Sequence, residues 1–437
     1  MKTRHFARGF VGALSLIGAI GAVACSSEPL SPEEAAEIGE TSQAIAISGL
    51  DAPGFTALYP ASIKLDAAKM FVGGGYSSAG AAIGTIKLFD PAASSPNQWA
   101  LPAGTQKTLP TALGEPQILK IPGVAGKFLI SGGRDQLTMT GSTVQNASFI
   151  YDETAGNVIT PATMTSARVN HVLLPCGAAA NSKVIAIAGR TSPTAVTNTM
   201  EVFTYNAATP ASSTWAALGA SGGGNLTLNN ARTYHGAVAI DTQNFLVFGG
   251  EQANGTVLNS VELVTVDSNC ANATKTAKGN LPAALTRFAF AKVPAAAGGF
   301  NVILAGGSTD LVNALSATRL YNNTTSDTWT TLASTLNSVT ALPVITDLGA
   351  GVFKVAGGTD AVFDPGSAGT SLTQVQNIDV TAGTPAWTPI SGGGSVTQLV
   401  RARTGHGQAL VSGNVYASQG AEVSGGTLSF TNTNSIE

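Results

Sequence analysis

The 437-residue sequence predicts an all-β fold built from seven copies of one four-stranded unit, and three marks that recur in phase predict it. The first is an apolar run closing on glycine: Met70 to Gly75, Phe128 to Gly133, Val184 to Gly189, Phe245 to Gly250, Val302 to Gly307, Phe353 to Gly358 and Val415 to Gly420. These closing glycines lie 51 to 62 residues apart. The second mark is an alternating run about a dozen residues later, as in Ile86 to Asp90, Ser148 to Asp152, Met200 to Phe203, Val261 to Val264 and Thr318 to Tyr321, with a weak copy at Val375 to Ile378. The third is Arg-x-x-His ahead of the apolar run, at Arg168/His171, Arg232/His235 and Arg403/His406, with an altered copy at Arg287/Phe290.

Each element of the repeat follows in order. A short strand leaves Arg-x-x-His, and a second runs into the glycines. The alternating run has the period of two expected of a half-buried strand and forms the third. The fourth carries tryptophan: all four, Trp99, Trp215, Trp329 and Trp387, fall 22 to 29 residues past a closing glycine. Segments rich in Gly, Asn, Asp and Ser between the runs are turns.

Together these marks resemble the kelch repeat over about residues 44–437. The resemblance implies a β-propeller, each repeat one four-stranded blade, and seven glycine closures imply seven blades. Glycine at these points allows positive φ and close approach of a neighbouring blade, and the tryptophans are expected to pack between blades. The final residues Asn434 to Glu437 match Asn259 to Glu262, which places them in the third strand of the last blade. The strand it still needs is expected from Ala44 to Ser48, an N-terminal segment that pairs with the last blade and closes the ring.

Ahead of the repeats, Lys2, Arg4 and Arg8 precede an apolar run from Phe10 to Ala24, too short to span a bilayer comfortably. The run ends Ala22-Val23-Ala24-Cys25, which resembles the lipobox of bacterial lipoproteins, with Ala22 where leucine is usual. The resemblance implies a signal peptide over 1–24 and a lipid on Cys25. Ser26 after the cysteine implies outer-membrane sorting. Residues 25–43 hold five glutamates and no basic residue, and read as an acidic flexible tether. The organisation is therefore signal peptide 1–24, tether 25–43 and propeller 44–437.

Composition narrows the function. Hydrophobic residues make up 44% of the chain, enough for a core, so disorder is excluded as its overall state. A net charge of −3 gives no basic surface for nucleic acid. Most of the acidic excess lies in the tether, leaving a nearly neutral body that reads as a monomer.

Candidate binding residues fall in two groups. Arg168, Arg232, Arg287 and Arg403 with His171, His235 and His406 share repeat positions near the expected channel mouth, where guanidinium groups suit a carboxylate or sulfate. The preferred reading of these arginines is structural: each ties its blade to a neighbour, through Glu201, Glu262 or Glu437 or through backbone carbonyls. The loops after the glycines share one face and are rich in hydrogen-bonding side chains, with Arg134, Arg190 and Glu251 as charged candidates. Cys176 and Cys270, in adjacent blades, could form a disulfide in an exported compartment.

No catalytic set emerges. The chain lacks P-loop and H-E-x-x-H motifs, and neither a metal nor another cofactor is expected. The sequence points to a non-catalytic binding or adhesion scaffold at the cell envelope, held to the membrane by lipid and recognising a protein or glycan through its face loops. The alternative is an envelope carbohydrate-active enzyme, since kelch-type propellers include galactose oxidases and a sialic-acid epimerase.

Overall fold

The structure, a computed structural model, describes residues 54–294, 301–322, 327–362, 369–389, 399, 402–424 and 427–429. The signal peptide, Cys25, the tether and Ala44 to Ser48 lie outside the described residues, as do 430–437.

The described residues form an all-β propeller of four-stranded antiparallel blades. Blade one is Ala61–Lys64, Met70–Gly73, Ile86–Phe89 and Trp99–Ala100, paired in chain order. Blade two is Gln117–Lys120, Lys127–Ser131, Ser148–Asp152 and Asn157–Ile159. Blade three is Val172–Cys176, Lys183–Ile187, Met200–Thr204 and Thr214–Ala217. Blade four is Gly236–Ala239, Asn244–Phe248, Val261–Val266 and Asn272–Lys278, and the linker Gly219–Ala220 adds a parallel fifth strand to its outer edge. Blade five is Ala289–Lys292, Val302–Ala305, Thr318–Asn322 and Thr328–Thr331. Blade six is Val344–Gly349, Val352–Ala356, Val375–Asp379 and Trp387–Pro389.

Six blades are complete, not the seven expected. The seventh repeat is described as the two-stranded sheet Gly407–Val411 with Asn414–Ser418, followed by a separate hairpin, Glu422–Ser424 with Thr427–Ser429. The segment placed in its third strand and the segment placed as the closing strand both fall outside the described residues. The inner strand Gly407–Val411 lies beside the inner strands of blade six and blade one, and the Ser62 hydroxyl accepts from Gln408 N–H at 2.9 Å.

The glycine closures join repeat to repeat. The N–H of Gly133, Gly189, Gly250, Gly307 and Gly358 donates to the carbonyl of Arg168, Arg232, Leu285, Thr340 and Arg403 in the next repeat, and Gly75 and Gly420 do the same to Leu113 and Ala57. The bonds are 2.8–3.1 Å long. At Gly132 (φ +63°) a Cβ would sit 2.2 Å from the Arg168 carbonyl oxygen and 2.7 Å from the His171 ring, so no side chain fits there.

The tryptophans pack between blades. Trp215 Nε1–H donates to Ser148 Oγ of blade two at 3.1 Å, Trp329 to the Gly279 carbonyl after blade four at 3.1 Å, and Trp387 to Thr318 Oγ1 of blade five at 2.6 Å. Apolar residues of facing strands fill the interfaces, as where Phe248 meets Phe288, Phe290 and Trp329 between blades four and five. Cys176 and Cys270 are joined as a disulfide linking blades three and four, with Cα atoms 6.0 Å apart.

Candidate binding site at the axial mouth

Just before each inner strand the backbone turns through a left-handed residue: Tyr59, Glu115, Asn170, Tyr234, Arg287, Leu342 and Gly405, all with φ between 48° and 57°. Non-glycine residues adopt this region at a cost of about 1 kcal/mol or more each. Six such residues at one repeat position are held there by the bridges on either side. The residue ahead of each pairs with the residue after a glycine closure, giving Tyr76, Arg134, Arg190, Glu251, Ser308, Thr359 and Ala421. Two rings of seven positions therefore surround the axis.

The rings are chemically lopsided. Repeats one to five contribute Tyr59 and Tyr76, Glu115 and Arg134, Asn170 and Arg190, Tyr234 and Glu251, and Arg287 and Ser308. The last two contribute only Leu342, Thr359, Gly405 and Ala421. A cavity of about 250 Å³ lies at the mouth, bordered by Tyr59, Glu115, Asn170, Tyr234, Leu342 and His406 among others. A second basin of about 680 Å³ shares Arg134, Leu137 and Tyr234 with it and extends over Arg190, Glu251 and Arg287.

Ion pairs organise the charged side. Arg134 Nη2 donates to Glu115 Oε1 at 2.8 Å, and its Nε donates to the Tyr76 hydroxyl at 2.8 Å. Burial alone would lower the pKa of Arg134, but Glu115 and the tyrosines more than offset this and raise it. Arg287 bonds Glu251 at 3.2 Å and lies over the Tyr234 ring, 4.4 Å from its centre. Thr286 Oγ1 donates to Glu251 at 2.9 Å. Burial, reinforced by Glu115, pushes the phenols of Tyr59 and Tyr76 well above their usual range, so both are neutral hydroxyls at physiological pH.

Buried polar atoms at this site without a hydrogen-bond partner include Glu115 Oε2, Asn170 Nδ2 and Arg190 Nε, besides the neutral ring nitrogen His406 Nδ1. Buried polar groups left open are uncommon in folded proteins, and Glu115 and Asn170 border the inner cavity. They offer a carboxylate acceptor and an amide donor beside two aromatic rings.

Of the candidates named from sequence, Arg134, Arg190, Glu251 and Arg287 come together around the mouth. The others do not, apart from His406, which borders the inner cavity. Arg168 and Arg232 are fully enclosed inside their own repeats, bonded to Glu201 at 2.7 Å and Glu262 at 2.8 Å and to backbone carbonyls. Arg403 is equally enclosed and donates to the Gln419 carbonyl at 2.9 Å. Burial, then the neighbouring Arg168 or Arg403, depresses His171 and His406 to about 3, and His235 falls well below its usual value for the same reasons. All three imidazoles are therefore neutral packing groups. Among the described residues no three His, Cys, Asp or Glu side chains gather as a metal site.

Arg287 belongs to the mouth because its register differs from the sequence alignment. The Gly250 N–H reaches Leu285, which takes the place of Arg168 and Arg232, so Arg287 stands where Asn170 and Tyr234 stand, and Phe288 replaces the histidine. Sequence reasoning missed Tyr59, Tyr76, Glu115, Asn170 and Tyr234. For all but Tyr76 the signal was the chemically variable column two residues after the repeat arginine; Tyr76 directly follows a glycine closure, in the column of Arg134, Arg190 and Glu251.

No family model and no curated protein matches the chain. Among solved structures, one titled "Structure of YjhT" is similar at 12% identity with a TM-score of 0.54, covering 78% of this chain and 100% of that one. At that identity the likeness shows the propeller fold alone.

Proposed function

We propose that the protein is a kelch-like propeller that binds a saccharide at its axial mouth, carried at the outer membrane on a lipid attached to Cys25. The observation that carries this reading is the open Glu115 Oε2 beside the unpaired Asn170 amide, in a cavity edged by Tyr59 and Tyr234. A sugar ring offers hydroxyls to both and an apolar face to the tyrosines. The two acids at the mouth are each bonded to an arginine, an arrangement suited to holding a ligand rather than to exchanging protons with it.

A glycan array and an envelope pull-down with the mature chain test the proposal. Saccharide binding that falls at least tenfold in Glu115→Gln and Tyr234→Ala supports it. Capture of an envelope protein with no saccharide bound would overturn the ligand class, and turnover of a bound sugar would overturn the non-catalytic reading.

A further inference from the structure

The mouth holds three arginines from the ring positions but only two glutamates. Glu115 answers Arg134 and Glu251 answers Arg287. Arg190 makes no ion pair with any described carboxylate: its Nη1 donates to the Pro193 carbonyl at 2.9 Å, and its buried Nε donates to nothing. Only 9% of the residue is exposed. A buried, permanently charged guanidinium is costly without an anion, because its desolvation is not offset by any opposite charge.

The location gives this charge a use. Arg190 borders the 680 Å³ basin, which opens beside the inner cavity across Arg134 and Tyr234. It follows a glycine closure in blade three, and its backbone is held at both ends by bridges to Val169 and Val196. The chain direction is thus fixed, and the head group has fork geometry suited to two oxygens of one anion.

We infer that the outer basin is an anion subsite in which Arg190 takes a carboxylate or sulfate carried by the saccharide whose ring occupies the inner cavity. This rests on the saccharide reading above and adds the charge of the ligand to it. The inner cavity supplies a carboxylate acceptor already paired with Arg134 and an amide donor, and the outer basin supplies a positive charge that no described carboxylate answers. The ligand it fits is an acidic saccharide, with the anionic group directed towards blades three and four.

The test compares neutral oligosaccharides on an array with their uronic-acid and sulfated counterparts, using the full mature chain, followed by titration with the best pair. The acidic member should bind about tenfold or more tightly, with the preference shrinking as salt rises. Arg190→Gln should abolish the preference by bringing the acidic member's affinity down to that of the neutral one, and Arg190→Lys should retain part of it. Preference for the uronic acid or for the sulfate distinguishes the two sources of negative charge. Equal binding of neutral and acidic members by the unaltered protein, or a preference that persists in a folded Arg190→Gln, overturns the subsite but leaves the saccharide reading standing. No binding to any saccharide overturns both.

Discussion

Two sets of arginines occupy this propeller, and they do opposite things. Arg168 and Arg232 repeat at one position, are wholly enclosed, and meet a carboxylate and carbonyls of their own repeat. Arg134, Arg190 and Arg287 sit in two columns where other repeats carry residues as different as tyrosine, glutamate, asparagine, leucine and glycine, and they line an opening. The residue that recurs holds the blade together. The residue that departs from its column faces the axis, where each repeat can differ without disturbing the fold.

The comparison breaks first at Arg168. Replacing it with methionine leaves Glu201 buried among N–H donors but without its counter-charge. Removing one partner of a buried pair costs about 3–5 kcal/mol, which chemical denaturation will read. The double substitution Arg168→Met with Glu201→Met should recover most of the loss. Arg190→Gln, which breaks no ion pair, should cost less than half as much, with the loss appearing in binding instead. A stable Arg168→Met would place the two sets in one class.

Much of the fold was legible because its signals are local. A glycine with φ near +60° just before the closing glycine recurs in five of the seven repeats, with Ala188 and Gln419 taking the same turn in the other two, and alternation marks the third strands. The site was legible only in part. Arg134, Arg190 and Glu251 directly follow the glycines and could be placed on a face. Tyr59 and Glu115 belong to the same ring, but ring membership depends on the turn register, and that is set by a hydrogen bond from the preceding repeat. Arg287 shows the cost: its spacing to Phe290 imitates the repeat, while the bond to Leu285 puts it two positions away. The seven-blade count failed because it took every glycine closure for a whole blade, whereas the last closure is followed, among the described residues, by a separate hairpin and not by further strands on its own sheet.

The next largest effect is at the closures. Gly132→Ala brings a Cβ to 2.2 Å from the Arg168 carbonyl at φ +63°, and should cost about 2 kcal/mol or more. Gly222→Ala, where a Cβ meets nothing within 4 Å and φ is not positive, should be nearly neutral. Equal melting temperatures for the two would show that the repeats are not joined as described.

The histidines sharpen the contrast through pH. His171 and His406 titrate at about 3 in the folded protein against about 6.5 unfolded. Between those values the unfolded chain binds more protons, so stability is complete above pH 6.5 and is lost as pH falls towards 3. Each histidine contributes up to about 1.4 kcal/mol per pH unit in that window. Phe288 holds the equivalent place in blade five, so His406→Phe should fold and flatten the acid limb of the stability curve. An unchanged limb would mean that other groups drive acid unfolding.

The smallest effect tests the blank side of the mouth. Leu342 takes the same left-handed turn as Asn170, with φ +53° in both. Asparagine tolerates that region better than leucine because its side chain bonds the local backbone. Leu342→Asn should therefore gain a few tenths of a kcal/mol, less whatever half-buried apolar area is lost. It should leave saccharide affinity within twofold, since the open polar atoms lie in repeats two and three. The same asparagine at Tyr234 should be similarly mild for stability and severe for binding. If both substitutions weaken binding alike, the ligand spans the whole ring, and the division into a charged side and a blank side has no functional meaning.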